Sequence, residues 1–481
     1  MTAINEHVST GPTLETRVLA KKMGIGALCG VIFFSVSGGP YGLEDTVGSA
    51  GAGMGLLLII INPFIWSLPT ALMVAEMGTT IPVQGGYYHW SKTTLGPFWG
   101  FLSGWWMWVV SWVDMAIYPV LFTTFAANFG VFDFLNPDTG NPWLAWLVRF
   151  AMIVLLGVLN VFGAKAIGDS SKVFLAIVLA PFVLVTIIGV FNMDRNPVEP
   201  FVLEGLSPAA AFGAGLFVVM WNYMGWDSMS TFASEIDNPK KSFPKALAIS
   251  IPLITLCYLL PTLVSLAIVG PDQIEWTAGA YTVIAEEVGG KWLGFIMNAA
   301  ALLSAVGLYA SWMLSNSRIP FALAEDGYLP ASIAKLHPKY GSPWISILVC
   351  SIICSAFILG PFQGLVAIDV TVYAFALALE FASLIALRRS HPDLERPFKV
   401  PGGWIGVFLA TLFPMLVTVA AIWFQVLDVG AVQGIGWAAA AAGSGVIAYF
   451  PLRRYKARNG RDVTYTIEMI ERGEFVKETA E

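Results

Sequence analysis

The chain has 481 residues, of which 57% are hydrophobic and only 12% charged, and its formal net charge is −6 at pH 7. A mean hydropathy of +0.71 excludes a water-soluble globular protein of this size and indicates an integral membrane protein. The acidic excess comes largely from loops, so it gives no reason to expect a nucleic-acid partner.

Apolar stretches long enough to cross a bilayer recur along the whole chain. A transmembrane helix needs about 20 mainly apolar residues, and a window of that length predicts twelve helices. In chain order they are 24–51, 53–78, 97–128, 142–163, 171–193, 207–236, 246–270, 291–317, 344–361, 364–388, 404–426 and 430–451. The predicted fold class is an all-α integral membrane protein with twelve transmembrane helices.

The positive residues predict how the chain is oriented. Lys and Arg concentrate in the loops on the side of the two termini, as in the tail sequence LRRYKARNGR, whereas the opposite loops offer only Arg195 and Lys291. Cytoplasmic loops carry an excess of Lys and Arg. We therefore expect both termini to be cytoplasmic and the protein to lie in a plasma membrane, the inner membrane if the source is bacterial.

The first predicted helix is interrupted by the stretch VSGGPYGLED, residues 36–45. Pro40 lacks a backbone N–H, and the neighbouring glycines have no helical preference. Such non-helical backbone is tolerated at membrane depth only where protein or a water-filled cavity satisfies its polar groups. Glu44 and Asp45 follow the interruption, where they either face a substrate path or cap the helix that resumes there.

Carboxylates also occur in the second and third predicted helices. Ionisable side chains at membrane depth are costly and usually face the bundle interior or a substrate path. Asp114 lies deep in the aromatic sequence WWMWVVSWVDMAIYPV, one helical turn before Tyr118, which favours a functional role. Glu76 lies near the end of the second helix and leads into a loop, so we expect it to have a structural role.

The sixth predicted helix is interrupted in the same way by WNYMGWDSMS, residues 221–230, in which Asp227 follows Gly225. The two interruptions stand at corresponding positions of two groups of five helices. Matched discontinuous helices are typical of inverted-repeat secondary transporters, whose substrate site lies between the breaks at the membrane midplane. The alternative is that both are packing kinks, since Gly and Pro are common in membrane helices.

The predicted helices and tails divide the chain into five units. They are a cytoplasmic N-terminal tail at 1–22, a first five-helix repeat at 23–193, a second five-helix repeat at 207–388, helices 11 and 12 at 404–451, and a cytoplasmic C-terminal tail at 452–481. Segment 239–245 is predicted to be a cytoplasmic connection, and its lysines follow the positive-inside rule.

A glutamate and four cysteines inside predicted helices also bear on the prediction. Glu380 in the tenth helix lies some two turns before Arg388, so it either takes part in function, or snorkels or pairs with that arginine. The cysteines all lie in apolar segments and are expected to be small buried hydrophobic residues. They are Cys29, Cys257, Cys350 and Cys354.

Four stretches of the sequence resemble a known family. VSGGPYGLED, VDMAIYPVLF, NYMGWDSMSTFASEIDNPKKSFPKAL and LEFASLIALRRSHPDLERPFKVP look like the plant polyamine uptake permeases and their bacterial relatives. These belong to the amino acid, polyamine and organocation transporter superfamily. The resemblance implies a LeuT-like 5+5 inverted-repeat fold with broken helices 1 and 6, alternating access and proton coupling.

The resemblance also bears on the first break. In superfamily members that carry amino acids, free N–H groups at this break hold the substrate carboxylate. Here Pro40 removes one such donor, and Glu44 with Asp45 partly cancels the positive end of the helix. This arrangement favours an ammonium group over a carboxylate.

One feature departs from the family pattern. Some proton-coupled bacterial relatives place a lysine midway along the fifth helix. Here Lys172 lies at the end of that helix and Pro181 occupies its middle. A carboxylate is therefore the expected proton carrier.

The predicted substrate-binding residues surround the two breaks and the acidic third helix. They are Ser37, Gly38, Gly39, Tyr41, Glu44, Asp45, Asp114, Tyr118, Trp221, Asn222, Tyr223, Trp226 and Asp227. The candidates for proton coupling are Glu44, Asp114 and Glu380. No metal site or cofactor is expected, and the expected partners are a cationic or zwitterionic small molecule, protons and the lipid bilayer, with the oligomeric state left open.

The sequence thus predicts a secondary transporter that imports an organic cation by proton symport with alternating access. The favoured substrate is a polyamine. Polyamines carry ammonium groups spaced by methylenes, which separated carboxylates with aromatic and aliphatic walls would suit. The alternative is a proton-coupled amino-acid symporter or exchanger of the same fold, because the glycines at the first break still leave backbone donors. Short soluble ends disfavour a nutrient sensor, and the lack of a nucleophile–His pair or phosphate loop disfavours an enzyme.

Overall fold

The computed structural model describes residues 22–136, 139–270, 273–358, 362–429 and 436–472. Within these ranges the chain is helical, and its only pairings of the β type are two isolated bridges. The helices are α1 (Ile25–Val36), α2 (Glu44–Ala50), α3 (Ala52–Asn62), α4 (Leu68–Thr80), α5 (Tyr87–Leu95), α6 (Pro97–Ala127), α7 (Pro142–Val161), α8 (Ala164–Val190), α9 (Pro208–Asn222), α10 (Pro239–Ile268), α11 (Ala280–Gly289), α12 (Lys291–Asn316), α13 (Arg318–Glu325), α14 (Trp344–Phe357), α15 (Phe362–Ser390), α16 (Gly403–Val429), α17 (Gly436–Asn459) and α18 (Ile467–Arg472).

The helices confirm an all-helical membrane protein. Among the described residues, 8 helical stretches are long and apolar enough to cross a membrane, and α1, α9 and α14 are shorter apolar helices. A π-helical turn at Pro63–Ser67 joins α3 to α4 into one such stretch. The count of twelve transmembrane helices and the inverted repeat stay predictions.

Two helices begin about two turns earlier than the sequence predicted. α8 begins at Ala164 instead of residue 171, and α10 begins at Pro239 instead of residue 246. The prediction that 239–245 forms a connection is therefore wrong. Asn238 adopts a left-handed conformation with φ of 44°, and Pro239 occupies the first turn, where its fixed φ favours a helix start.

Some of the predicted units extend beyond the described residues. Residues 1–21 of the N-terminal tail, 430–435 of the twelfth predicted helix and 473–481 of the C-terminal tail lie outside them. The described part of the twelfth predicted helix continues as α17 to Asn459, and so includes residues predicted to be tail.

Both predicted helix breaks are present. The chain leaves the helical conformation between Val36 and Glu44, and again after Asn222 until a short 3-10 turn at Ser228–Thr231. Gly225 in the second break has a φ of 91°, a conformation that favours glycine. A Cβ atom on Gly225 would lie 2.3 Å from the carbonyl oxygen of Ser35, so the second break packs directly against the end of α1.

α6 lies at the centre of the bundle, and α7, α8 and α16 lie at its outside. In α6, 78% of the apolar window is buried, against 28% in α8. The outer helices expose large apolar side chains such as Leu155, Ile187 and Phe408. Broad apolar surfaces of this kind are what lipid tails contact, and α6 is therefore the helix best placed to hold a polar site away from lipid.

The first and last described residues of the chain lie at the same end of the bundle, which we call the terminal end. Met23 pairs with Ile236, and Gln84 pairs with Phe232. At this end Glu235 accepts hydrogen bonds from Arg318, at 2.9 Å from Nε and 3.1 Å from Nη2, and neither side chain is exposed. Separating the two side chains would leave buried charges unpaired, which is costly. The ion pair therefore holds the segment that follows the second break against α13.

Glu76 forms a second buried ion-pair cluster. It pairs with Arg388, lies 3.4 Å from Nε of Arg396, and accepts a hydrogen bond of 2.7 Å from the N–H of Val400. These contacts give Glu76 the structural role that the sequence predicted. Because Arg388 is committed to Glu76, the alternative pairing of Glu380 with Arg388 is wrong.

A third cluster joins the C-terminal segment to the bundle, and we call it the clamp. Lys92 of α5 lies 2.7 Å from Asp326 and 2.7 Å from Asp462, and Lys456 lies 2.8 Å and 2.9 Å from the same two carboxylates. The N–H of Val463 donates to Asp326 at 2.9 Å. Partial burial opposes the charge of Asp462, but hydrogen bonds from Lys92 and Lys456 outweigh it and lower the pKa of that carboxyl.

Replacing Asp462 by Asn is expected to release the C-terminal segment from the clamp. The change removes the charge that pairs with two lysines, so Lys92 and Lys456 then share Asp326 alone. Limited digestion with trypsin, followed by mass spectrometry, is expected to show faster cleavage after Arg458 than in wild type. Asp393→Asn, at an exposed position, is the matched control. Equal cleavage rates in both variants would contradict the clamp.

Candidate functional site

A small cavity lies where the two helix breaks meet α6 and α12. Its walls include six of the predicted residues, namely Ser37, Tyr41, Asp114, Tyr118, Trp221 and Asn222. The space open to the centre of a water-sized sphere is about 20 Å³, which is room for about one water molecule. The cavity must therefore widen to admit a larger ligand.

Asp114 is the charged group on the cavity wall. Its side chain is buried, Tyr118 Oη donates to Oδ2 at 2.6 Å, and Trp221 Nε1 donates to Oδ1 at 3.2 Å. Tyr118 lies one turn further along α6, and Trp221 lies at the end of α9, just before the second break. The structure therefore brings the predicted acidic residue of α6 and the predicted aromatic residue of the second break into direct contact.

Asp369 on α15 is the site residue that the sequence reasoning missed. Its carboxyl group lies against that of Asp114, its side chain has no exposed surface, and neither of its oxygens accepts a hydrogen bond from an N–H or O–H donor of the described residues. Asp369, Tyr373 and Glu380 are spaced four and seven residues apart, which places them on one helix face. That spacing was the available signal.

A second pair of carboxyl groups, from Asp227 and Glu380, meets at the same face of α15. Tyr373 Oη donates to Oδ1 of Asp227 at 2.6 Å, and accepts from the N–H of Gly225 at 3.3 Å. Glu380 lies against Asp227, and neither carboxyl group has exposed surface. Neither residue lines the cavity. Asp227 therefore groups with Glu380 and not with the predicted substrate-binding residues around Asp114.

The backbone donors of the first break are used within the break. The N–H groups of Ser37 and Gly38 both donate to the carbonyl of Phe33, at 2.8 and 3.0 Å, and that of Gly39 donates to Ser37 Oγ at 3.0 Å. Ser304 of α12 donates to the carbonyl of Gly38. These three N–H groups are therefore not free to bind a carboxylate.

Glu44 and Asp45 begin α2 but do not line the cavity. Glu44 is buried, and its Oε2 accepts from the N–H of Gly42 at 2.5 Å. Asp45 is partly exposed. Glu44 thus holds the loop that precedes α2. Unlike Asp45, it is fully enclosed near the first break.

Tyr223 and Trp226 pack around the second break and away from the cavity wall. Tyr223 Oη donates to the carbonyl of Ile59 at 3.3 Å, and Trp66 Nε1 donates to the carbonyl of Tyr223 at 3.2 Å. Trp226 is buried, and its Nε1 has no hydrogen-bond partner among the described residues. These contacts fix the break in place.

The centre of the bundle is acidic. Every ion pair formed among the described residues involves Glu76, Glu235, the clamp, or exposed pairs near α8. Arg149 instead donates to Thr123 Oγ1 at 2.9 Å and to the carbonyl of Ile358 at 3.5 Å. Unpaired carboxyl groups in a low-dielectric interior attract cations, so the site is suited to a positively charged ligand.

The four cysteines are free thiols and are buried, as the sequence predicted. Cys350 and Cys354 lie one turn apart on α14, and both have less than 4% of their surface exposed, at 3% and 1%. They act as small hydrophobic residues in the packing between helices.

Comparisons with known proteins agree with this architecture. Residues 23–445 match the family model described as amino acid permease. Polyamine transporter RMV1 of Arabidopsis thaliana is 34% identical over 442 residues, covering 89% of this chain and 87% of the relative. Polyamine transporter PUT1 of Oryza sativa subsp. japonica is 34% identical over 403 residues, covering 84% and 74%.

A bacterial relative is more distant. The branched-chain amino acid permease BcaP of Bacillus subtilis (strain 168) is 26% identical over 423 residues, covering 84% of this chain and 87% of that protein. All three relatives are named as transporters or permeases, and none as an enzyme. The chain therefore belongs to the amino acid permease family of membrane transporters.

Proposed function

We propose that this protein imports a polyamine across the plasma membrane by proton symport with alternating access, with both termini in the cytoplasm. The observation that carries the proposal is the contact between Asp114, which lines the cavity, and Asp369, which lies behind it. No Lys or Arg of the described residues forms an ion pair with either carboxyl group. Two carboxylates facing each other can hold an ammonium group between them. The relatives named as polyamine transporters support the same substrate class.

Aromatic side chains around Asp114 suit an ammonium ligand. Tyr118 and Trp221 both contact the carboxylate and both line the cavity. An ammonium over an aromatic face gains about 0.5–2 kcal/mol. Tyr41 and Phe125, which pack with their centroids 5.7 Å apart, provide an apolar wall for the methylenes of a polyamine.

The position of the breaks supports alternating access. The cavity holds about one water molecule, so entry of a substrate requires the elements that line it to move apart. The hydrogen bonds of Ser304 to Gly38 and of Gly225 to Tyr373 join each break to a long helix. Rocking of the helices that flank each break, about these hydrogen bonds, would open the site to one side and then the other.

An amino-acid symporter or exchanger is the second candidate. The relative named as a branched-chain amino acid permease favours it. Against it, Ser37, Gly38 and Gly39 donate their N–H groups within the break, so a substrate carboxylate would have to compete for them. The buried carboxyl pair at the cavity would also repel that carboxylate.

Asp114→Asn is expected to abolish putrescine and spermidine uptake into proteoliposomes under an inward proton gradient. The change removes the charge that Tyr118 and Trp221 orient. Losing the carboxylate of a buried ammonium–carboxylate pair costs about 2–5 kcal/mol. Radiolabelled putrescine, spermidine, leucine and arginine are compared in wild type, Asp114→Asn and Glu44→Gln. Leucine uptake in wild type without competition from polyamines would overturn the proposal in favour of the second candidate.

A further inference from the structure

We propose that Asp227 and Glu380 together bind the proton that travels with the substrate, and that this proton holds the second break closed against α15. The assignment rests on the proposed function, and names the site of its coupling ion. It separates Asp227 from the substrate-binding residues, with which the sequence analysis had grouped it.

The geometry of this pair calls for a shared proton. Both side chains have no exposed surface, Oδ2 of Asp227 and both oxygens of Glu380 have no donor among the described residues, and the two carboxyl groups lie against each other. Two carboxylates in contact repel, whereas one proton between them forms a charge-assisted O–H···O bond. The protonated pair carries a single negative charge, and loss of the proton leaves two.

No basic group offsets that second charge. Among the described residues, no Lys, Arg or His forms an ion pair with Asp227 or Glu380. The titratable side chains that face the pair are Tyr373 of α15 and Tyr87 of α5. Tyrosine has an ordinary pKa of about 10 and stays neutral at physiological pH. The charge of the cluster therefore depends on one proton.

Tyr373 connects that proton to the second break. Its hydroxyl donates to Asp227 at 2.6 Å and accepts from the N–H of Gly225 at 3.3 Å. Gly225 in turn packs against the carbonyl of Ser35 at the end of α1. When the proton leaves, repulsion between the carboxylates pushes Asp227 away from α15, and the movement is passed directly to both breaks.

The pair is separate from the proposed ammonium site. Asp369 and Glu380 are eleven residues apart on α15, which is about 16 Å along a helix axis. Asp114 lines the cavity, whereas Asp227 and Glu380 do not. Symport requires the proton and the substrate to be bound at the same time, and this separation allows it. The proton sits where the substrate does not reach.

The test separates exchange from accumulation in proteoliposomes with Glu380→Gln. The Gln amide can donate to Asp227 in place of the shared proton, so the pair stays in its protonated form. We expect exchange of radiolabelled putrescine between equal concentrations to stay within about twofold of wild type. Each pH unit is worth a factor of ten per coupled proton, so accumulation under a gradient of 2 pH units is expected to fall by up to about a hundredfold.

A matched control and a second variant make the outcome decisive. Glu204→Gln changes an exposed glutamate and is expected to behave as wild type in both measurements. Asp227→Asn tests the pair from its other member if Glu380→Gln is not recovered folded. Undiminished proton-driven accumulation in the variant would overturn the assignment. Loss of exchange as well, in a variant that is monodisperse by gel filtration, would place the residue in substrate binding and also overturn it.

Failure of the proposed substrate is distinguishable from failure of this assignment. If wild type exchanges leucine and not putrescine, the polyamine proposal fails. The same two measurements with radiolabelled leucine then still decide whether Glu380 couples the proton.

Discussion

Replacing Asp369 by asparagine is expected to weaken putrescine binding by about thirtyfold or more. Asp369 faces Asp114, and no donor of the described residues satisfies its oxygens, so under the proposed function a substrate ammonium group supplies the missing donor. Loss of the carboxylate from a buried ammonium–carboxylate pair costs about 2 kcal/mol or more, which is about thirtyfold in affinity. Asparagine has nearly the same shape, so the packing of α15 against α6 is retained.

Isothermal titration of the detergent-purified protein with putrescine measures this effect. Asp194→Asn is the matched control, because the side chain of Asp194 is 73% exposed and lies outside the site. We expect its affinity to equal that of wild type. An unchanged affinity in Asp369→Asn would mean that Asp114 holds the ammonium group alone, and would contradict the paired site.

Gly225→Ala is expected to stop transport and lower the melting temperature. The added Cβ would lie 2.3 Å from the carbonyl oxygen of Ser35 and 3.2 Å from Trp312 Cζ2, and the φ of 91° does not suit an L side chain. A left-handed conformation costs an L residue about 1–2 kcal/mol before any clash is counted. The carbonyl of Ser35 belongs to the backbone of α1 and cannot rotate away.

Gly26→Ala is the control for this second change. A Cβ at Gly26 meets only Lys172 Cδ, at 3.7 Å, which is an ordinary contact, and the residue lies within α1. Alanine favours a helix over glycine by about 0.5–1 kcal/mol, so the control is expected to transport putrescine and to melt no lower than wild type. Uptake by Gly225→Ala at the rate of the control would show that the two breaks do not need their close packing.

Local chemistry explains which elements could be predicted from the sequence. The breaks at VSGGPYGLED and WNYMGWDSMS were predicted because glycine and proline act on their own backbone, whatever surrounds them. The start of α10 was missed because PKKSFPK is too polar for a hydropathy window. Pro239 begins the helix there all the same, since a helix that extends beyond the apolar layer needs no apolar residues.

The candidate site was harder to predict, because carboxyl groups pair through space. Asp114 was predicted from its depth within an aromatic helix, and the structure places it on the cavity wall. Glu44 was predicted for the same wall, but its carboxylate holds the N–H of Gly42 instead. Asp369 was missed because a single aspartate near the start of α15 resembles the end of a loop. Its meaning comes from facing Asp114, a contact that no local pattern shows.

Because all four cysteines are buried, the native chain gives little background signal in thiol labelling. A maleimide that cannot cross membranes reacts only with thiolates that it can reach. One cysteine introduced at Ser37 or Asn222, on the cavity wall, can therefore report from which side of the bilayer the cavity opens, without prior removal of Cys29 or Cys257. The packing that makes these thiols inert allows each stage of the transport cycle to be followed in an otherwise unaltered protein.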